Sequence, residues 1–445
     1  MTMIRPETEM KDSGYVWLKQ IPKHWTTAKL LYVLRSKISD GPHETPNYVD
    51  KGIPFISLDS LNDGKTIDFT GCKRFITEDD YERYSLKTTL EKGDILFSKA
   101  ASIGKTAIVG DEKFMVWSPL AIIKNNSSII DNTFLYHLLN CSELIMSITL
   151  SGSMNTQINV GMREMEQARI PLPPLSEQQA IADYLDETCS KIDAIIAEAK
   201  ASIEEYKELK QAVIFEAVTK GLDKNVAMKD SGVEWIGNMP SHWNLVKSTR
   251  FITSTQNGMT RRDLDKSSGS IVLKLKNITE NGDIDYSWVN RIDLTDKELD
   301  TYSLEQDDLL FVRVNGSKSL VGKCAIFEKQ NENIAYNDHI IRVKLNDYCS
   351  SRFFRWYLLA QSGKTEIALH INTSAGQYTI SGQGLRDIYV SLPPLNEQMQ
   401  IVEYLEEKCL IFDGVIKDKQ DMIEDLEAYK KSLIYEVVTG KRRVV

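Results

Sequence analysis

The chain has 445 residues, of which 42% are apolar and 26% are charged, proportions ordinary for a soluble globular protein and unlike those of a disordered or membrane-embedded one. This length exceeds one ordinary core and predicts about two to four compact units. No apolar run approaches the ~20 residues of a transmembrane helix. The first 11 residues lack the apolar core of a secretory signal, so we expect a cytoplasmic protein.

Charge and cysteine content narrow the function classes further. The net charge of −9 is unusual for a DNA-binding protein, but the charge is unevenly distributed. Residues 176–221 carry 5 basic and 10 acidic side chains and residues 396–445 carry 8 and 11, whereas the two other segments are close to neutral. The six cysteines lack the spacing of a zinc site, and we interpret them as free thiols.

An internal repeat with a period of about 220 residues covers nearly the whole chain and begins at residues 10–25. This opening segment ends in Pro-Lys-His-Trp and returns at 228–243, where nine of its sixteen positions are identical. His24 and His242 each precede a tryptophan. Metal binding or proton transfer is one interpretation of these histidines, but burial of the neighbouring aromatic ring favours a structural anchor.

Each copy continues into a second matched motif. Asp-Ile-Leu-Phe at 94–97 returns as Asp-Leu-Leu-Phe at 308–311. The run from Lys99 to Thr106 resembles a phosphate-binding loop, but Lys99 replaces its first glycine, so we predict a turn that connects two strands. Between these matched motifs the copies diverge, which is typical of one scaffold adapted to two targets. Drift after duplication is the alternative.

Each copy then ends in a predicted long helix that follows a Pro-Pro pair, with Ser176 and Asn396 as N-caps and Gln179 completing a capping box. Residues that are apolar, or that a helix–helix interface tolerates, recur at heptad spacing. The second copy keeps the same register 220 residues later. The predicted seam comprises positions 181, 185, 188, 192, 195, 199, 202, 206, 209 and 213. Helices of ~44 residues span about 65 Å and predict a spacer, although an ordinary helical hairpin also fits.

The order of these elements predicts an α+β chain with two repeated α/β domains separated by two long antiparallel coiled-coil helices in a pseudo-two-fold arrangement. We place the globular domains at 1–172 and 222–392. The helices are placed at 173–221 and 393–445. The second helix would return the chain to its beginning and bring the opening segment against the end of that helix.

These motifs resemble those of the specificity (S) subunits of Type I restriction-modification systems over essentially the full chain. The family's Met-Lys-Asp-Ser-Gly opening that ends in Pro-x-His-Trp corresponds to residues 10–25. Its Gly-Asp-Ile-Leu-Phe strand corresponds to 93–97, and its Pro-Leu-Pro-Pro-Leu-x-Glu-Gln helix start corresponds to 171–178. In the second copy Asp307 replaces the glycine before the strand, and Ser391 replaces the first proline.

The resemblance implies two target-recognition domains that each read one half of a bipartite, asymmetric site in double-stranded DNA. Two methyltransferase subunits would dock on the helices, and two restriction subunits, which are motor-nucleases, would join for cleavage. S-adenosylmethionine, ATP and magnesium would act in these partners, with no cofactor in this chain. The alternatives are the specificity subunit of a methylation-only or related DNA-modifying enzyme, an enzyme with its own chemistry, and a coiled-coil adaptor without DNA affinity.

The sequence contains no intact catalytic motif, so we predict a non-catalytic subunit. Leu-Pro-Pro-Leu at 172–175 offers no amide or carboxylate to hold a flipped adenine. Basic residues in the divergent segments would contact DNA phosphates and base edges, although a solvated surface role is the alternative for each of them. The candidates are His43, Lys73, Arg74, Lys99 and Lys105 in the first copy, and Arg261, Arg262, Lys274, Arg313, Lys318 and Lys323 in the second.

Overall fold

The computed structural model describes residues 3–61, 64–151, 159–261, 269–279, 282–328, 330, 332–374 and 376–444. The chain forms two compact units, a first unit of Met1–Ala199 with Gln420–Val445 and a second unit of Lys200–Lys419. The predicted domain boundaries follow the ends of the long helices, whereas the boundaries of the compact units fall inside each helix. In the part of the chain that is described, no helix is both long and apolar enough to cross a membrane.

The first unit contains two four-stranded sheets. The antiparallel sheet has the strand order Thr106–Ile108, Ile95–Ser98, Leu120–Ile123, Ser39–Asp40. The mixed sheet has the order Met115–Val116, Ile53–Ile56, Phe75–Ile76, Tyr48–Val49, and its first pair is parallel. The segment between Ile95–Ser98 and Thr106–Ile108 connects two antiparallel strands, which confirms the predicted turn.

The second unit repeats this plan. Its antiparallel sheet has the order Ile252–Asn257, Ile340–Leu345, Leu309–Val312, Cys324–Ile326. A mixed sheet follows with the order Asn290–Ile292, Ser270–Leu273, Ile334–Tyr336, and a further sheet has the order Val314–Asn315, Gln377–Thr379, Asn372–Ser374. In both units the central strand carries the repeated Phe97 or Phe311, which are 1% and 0% exposed, so this motif belongs to the core.

Short elements complete each unit. The paired strands are Met10–Asp12 with Gln20–Pro22, Thr26–Lys29 with Arg169–Leu172, Met228–Asp230 with Asn238–Pro240, and Asn244–Lys247 with Tyr389–Leu392. The 3₁₀ turns are Glu7–Glu9, Leu30–Val33, Leu58–Ser60, Ser248–Arg250, Leu275–Asn277 and Lys318–Leu320. The short helices are Glu78–Ser85, Asn132–Leu139, Ser142–Ser151, Met162–Gln167, Asp296–Tyr302, Ser351–Leu359, Gln361–Leu369 and Gly382–Arg386.

Two long helices, Leu175–Lys220 and Leu395–Val438, lie within the predicted helical segments. Within each unit, part of the first long helix packs against part of the second. In the first unit Lys430 Nζ lies 2.6 Å from Asp193 Oδ1, and in the second Lys210 Nζ lies 2.6 Å from Asp413 Oδ1. An early residue of one helix thus meets a late residue of the other, which shows antiparallel packing. Both the lysines and the aspartates are separated by one period of the repeat.

The predicted heptad seam is wrong at every second position. Leu185, Ile192 and Ala199 are buried as predicted, but the buried residues between and after them are Cys189, Ile196 and Ile203, each one position later than predicted. Ile195 is 46% exposed, whereas Ile196 is 8% exposed. Two phases of a heptad pattern share every seventh residue. Ile195 fits the predicted phase and Ile196 fits the other phase, so the sequence is compatible with both. Burial in the folded protein shows that the phase containing Ile196 is the one used.

The predicted N-caps, Ser176 and Asn396, are also two residues late. The first long helix begins at Leu175 and the second at Leu395. The amide of Gln178 donates to the Pro174 carbonyl at 3.0 Å, so Pro174 supplies the first helical acceptor and Ser176 lies within the first turn. Gln179 does not complete a capping box with Ser176, because Ser176 lies inside the first turn and is not the N-cap. The side-chain Nε2 of Gln179 instead donates to Asp183 Oδ1 at 2.9 Å.

The two ends of the chain pair with each other in the first unit. Met3–Ile4 forms an antiparallel pair with Arg442–Arg443. Tyr435 Oη donates to the Trp17 carbonyl at 3.0 Å, and Lys441 Nζ donates to a neighbouring carbonyl, that of Leu18, at 2.8 Å. The second long helix therefore ends against the opening segment, as the repeat predicts.

Candidate nucleic-acid interface

The repeated His-Trp pair anchors the opening segment to the first turn of a long helix. In the first unit His24 Nε2 and Trp25 Nε1 contact the two carboxylate oxygens of Glu177 at 2.7 and 3.0 Å. The same contacts recur in the second unit, at 2.8 and 2.9 Å, among His242, Trp243 and Glu397. Both indoles are almost fully buried. The predicted structural role of the two histidines is therefore confirmed.

The glutamine that follows this glutamate ties the globular part to the same helix turn. Gln178 is fully buried, accepts from the Asp131 amide at 2.7 Å, and donates to the carbonyls of Ile129 and Pro173. The equivalent partners of Gln398 are the Ser350 amide and the carbonyls of Tyr348 and Pro393. The repeated Glu-Gln pair thus positions the globular part of each unit on its helix.

An acidic residue two turns further along each helix makes a second attachment. Asp186 lies 2.7 Å from His137 Nε2 and 2.6 Å from Lys65 Nζ. The hydrogen bond from His137, aided by Lys65, lowers the pKa of Asp186 to about 2, while burial lowers the pKa of His137. One period later, Glu406 lies 2.8 Å from Arg352. The globular part of each unit is therefore held on its helix at two levels.

A buried aspartate stabilises the start of the central strand. Asp94 is 1% exposed and lies 2.8 Å from Lys124 Nζ and 2.9 Å from Arg35 Nη2. Gly93, the residue before Asp94, has φ +91°. At the equivalent position of the second copy, Asp307 has φ +67°. Aspartate is among the non-glycine residues that enter this left-handed region most readily. The substitution in the second copy therefore preserves the turn.

Two predicted DNA-contacting residues of the first copy point into the protein. Lys99 has a side chain only 9% exposed, and its Nζ lies 2.6 Å from Asp40 Oδ2. Lys105 is half-buried, and its Nζ donates to the Leu61 carbonyl at 3.1 Å. Both ammonium groups have acceptors inside the domain. These contacts give the two lysines a structural role that requires no ligand.

Of the other three candidates of the first copy, two are exposed and one is half-buried. The His43 side chain is 75% exposed, at 3.2 Å from Asp40, and Lys73 is exposed. Arg74 is half-buried and donates to Ser57 Oγ at 3.1 Å. The structure brings Lys99 and His43 to the same carboxylate, that of Asp40, whereas Arg74 contacts Ser57.

The candidates of the second copy also include both side chains that contact other protein groups and side chains that are exposed. Arg261 Nη1 lies 3.1 Å from Glu298, and Arg313 Nη1 donates to the Asp338 carbonyl at 2.8 Å. Lys318 is exposed. Lys318 and Lys323 line a cavity of about 580 Å³. The remaining candidates are Lys274, which is half-buried beside Trp288 with its Nζ 5.8 Å from the ring centroid, and Arg262, which lies outside the described residues.

Sequence reasoning missed two exposed tryptophans. Trp117 is 36% exposed in the first unit, and Trp288 is 44% exposed in the second. Each lies beside a 3₁₀ turn that follows a strand of the mixed sheet, Leu58–Ser60 or Leu275–Asn277. The available signal was a large aromatic residue in a polar stretch, such as Asp-Tyr-Ser-Trp at 285–288.

The sequence matches a known protein family in both copies of the repeat. The model of the Type I restriction modification DNA specificity domain matches residues 22–205 and again residues 262–423, once in each copy of the repeat. The chain belongs to the specificity subunits of Type I restriction-modification systems. Both matched segments extend from a globular part into a long helix, in agreement with the attachments described above.

Two relatives of this S subunit match along most of their length. The specificity subunit of the EcoKI enzyme of Escherichia coli strain K12 is 24% identical over 440 residues, covering 95% of this chain and 90% of that protein. The putative MjaX specificity subunit of Methanocaldococcus jannaschii is 27% identical over 436 residues, covering 96% and 95%.

Two solved structures share the fold. A chain from a study of complex assembly and conformational transition of the type I R-M system aligns with a TM-score of 0.70 and 14% identity, covering 95% of this chain and 99% of that chain. The HsdS subunit from Thermoanaerobacter tengcongensis aligns with a TM-score of 0.50 and 14% identity, covering 95% and 98%. At this identity the likeness concerns the fold alone.

Proposed function

We propose that this S subunit reads a bipartite, asymmetric DNA target and positions methyltransferase and motor-nuclease subunits on it. Each unit would read one half of the target, and S-adenosylmethionine, ATP and magnesium would act in the partners. One observation carries the proposal: the two units are attached to the long helices by the same contacts, but they carry different side chains at their surfaces. Glu177 and Glu397 each hold a histidine and a tryptophan of the opening segment of their own copy, whereas the surface loops differ.

The basic side chains that the structure leaves at the surface are the proposed DNA contacts. Lys73 and Lys318 are exposed, and cationic side chains that reach solvent can neutralise phosphates. The exposed His43 ring, 3.2 Å from Asp40, is a proposed hydrogen-bonding contact. Lys99 and Arg261 are less suited, because contact with DNA would compete with their pairing to Asp40 and Glu298. We assign these two a primarily structural role.

The long helices suit protein partners better than DNA. Their acidic excess repels phosphates within the ~8 Å screening length of physiological salt. In the second unit the second helix also exposes large apolar side chains, with Leu410 at 75% and Met399 at 64% exposure. Exposed apolar side chains on a helix favour burial by another protein. The helices are the proposed docking surface for the methyltransferase subunits.

Methyl transfer from labelled S-adenosylmethionine tests the proposal. The purified chain alone should transfer no methyl group to DNA, and the chain with its methyltransferase partner should methylate DNA that carries the target. Mobility shifts of the same DNA should become sequence-specific in the assembled complex. Transfer by the chain alone, or a complex without sequence preference, would contradict the proposed division of labour.

A further inference from the structure

We propose that each unit reads bases through one surface, made by the 3₁₀ turn after a strand of the mixed sheet and the exposed tryptophan beside it. The turns are Leu58–Ser60 with Trp117 and Leu275–Asn277 with Trp288. We call these the first and second turn surfaces. The inference rests on the proposed function and goes beyond it by naming the residues that set the two half-sites.

The two turns are equivalent parts of the repeated scaffold. The Ser60 carbonyl accepts from the Asp68 amide at 3.0 Å, and the Asn277 carbonyl accepts from the Asp285 amide at 2.8 Å. Each of these aspartates in turn accepts from the residue two positions later, Thr70 in one copy and Ser287 in the other. The two turns therefore share these contacts, and they differ in their side chains. The tryptophan beside each turn comes from a different loop, because Trp117 follows the strand Met115–Val116 and Trp288 precedes the strand Asn290–Ile292.

The first turn surface combines an aromatic ring with a donor and an acceptor. The Arg74 guanidinium carbon lies 5.5 Å from the Trp117 ring centroid. Arg74 also donates to Ser57 Oγ at 3.1 Å, and that hydroxyl donates to the exposed Asp59 carboxylate. This chain of contacts fixes the orientation of each polar group before a ligand arrives, which lowers the entropy cost of binding.

The second turn surface is cationic. The exposed Lys276, which occupies the position of Asp59, lies directly over the Trp288 ring. Lys274 Nζ lies 5.8 Å from the same ring centroid. Asn277 is 2% exposed and donates to the carbonyls of Trp288 and Asp285 at 2.7 and 2.9 Å, so it holds the tryptophan loop on the turn.

These contents favour different bases. A carboxylate such as that of Asp59 accepts a hydrogen bond from the amino group of cytosine, whereas a lysine such as Lys276 donates to O6 and N7 of guanine. An indole ring beside either group suits contact with a thymine methyl group. Because the charge reverses at one equivalent position, the two units are expected to prefer different half-sites.

The test uses the assembled complex with its methyltransferase partner. Trp288→Ala and Lys276→Gln should each relax base preference in one half of the methylated motif and leave the other half unchanged. Dissociation constants for the intact target should rise roughly 10- to 100-fold where a base contact is lost. Asp59→Asn and Trp117→Ala should do the same to the other half.

Tyr348→Ala is the matched control. Tyr348 is 61% exposed in the second unit with the Arg250 guanidinium 5.5 Å from its ring centroid, but it lies next to the start of the second long helix. This variant should keep the wild-type motif and affinity. Thermal unfolding of each variant should match wild type, because the substituted side chains are exposed.

The outcomes separate this inference from the proposed function. A wild-type complex that methylates a bipartite motif, together with turn-surface variants that keep both motif and affinity, would overturn the inference alone. Relaxation of both halves by Trp288→Ala would also overturn it. A wild-type complex that recognises no bipartite motif would overturn the proposed function and the inference with it.

Discussion

At the scale of single residues, the repeated His-Trp and Glu-Gln pairs are accounted for by contacts within the protein. Trp25 Nε1 donates to Glu177, and the neighbouring Gln178 bonds to three backbone groups of the same unit. Repetition in the sequence was enough to predict an anchor around His24, because two copies rarely preserve the same polar residues without a shared constraint. The acidic partner was not predicted, since it lies about 150 positions away.

The side chains that are accessible for DNA contact were harder to predict than the anchors. Each globular segment carries nearly equal numbers of acidic and basic side chains, so many lysines have carboxylate partners in the fold. Lys99 and Asp40 are 59 positions apart in the chain, yet their charged groups lie 2.6 Å apart. A sequence pattern does not distinguish such a pair from a free cation. The three-dimensional arrangement does so directly.

Glu177→Ala tests the anchor. The substitution leaves the N–H of the buried Trp25 without its acceptor, which should lower the free energy of unfolding by about 1 to 3 kcal/mol. Glu187→Ala is the control, because Glu187 lies exposed on the same helix and pairs with the exposed Lys191 one turn away. The control should change the free energy of unfolding by less than about 0.5 kcal/mol. Equal effects in urea unfolding would contradict the anchor.

At the scale of elements, the existence and length of the two long helices followed from the sequence, but their buried face did not. Ile195 and Ile196 fit alternative seams equally well, and the choice depends on where the globular part attaches. Asp186 contacts His137 and Lys65 and so fixes the rotation of the first helix in its unit. Tertiary contacts therefore decide a question that heptad spacing leaves open.

The observed seam makes a sharp prediction about adjacent residues. Ile196→Lys places an ammonium group at a position 8% exposed and should destabilise the protein by about 2 to 4 kcal/mol. Ile195→Lys makes the same chemical change at a position 46% exposed and should cost less than about 0.5 kcal/mol. Chemical unfolding of both variants decides between the two seams. A larger loss for Ile195→Lys would restore the seam predicted from the sequence.

At the scale of the whole molecule, each unit contains the same attachments, and each long helix contributes to both units. If the paired helices set the spacing of the half-sites, one added heptad after Ile196 and after Ile416 should preserve the seam and lengthen each helix by ~10.5 Å. This length corresponds to about three base pairs. Mapping of methylated adenines should show unchanged half-sites with a longer gap. Retained activity with an unchanged gap would rule out the helices as the spacer.

The division of the chain into two independent readers is the central claim, and exchange of one reader tests it most directly. Residues 26–170 would be replaced by the corresponding segment of a relative with a different target, which keeps the opening segment and the Glu-Gln pair that attach the reader. Long-read mapping of methylated adenines in cells with the partner subunit then reports the motif. The account predicts that one half of the motif changes and the other half and the gap remain. A change in both halves would contradict it.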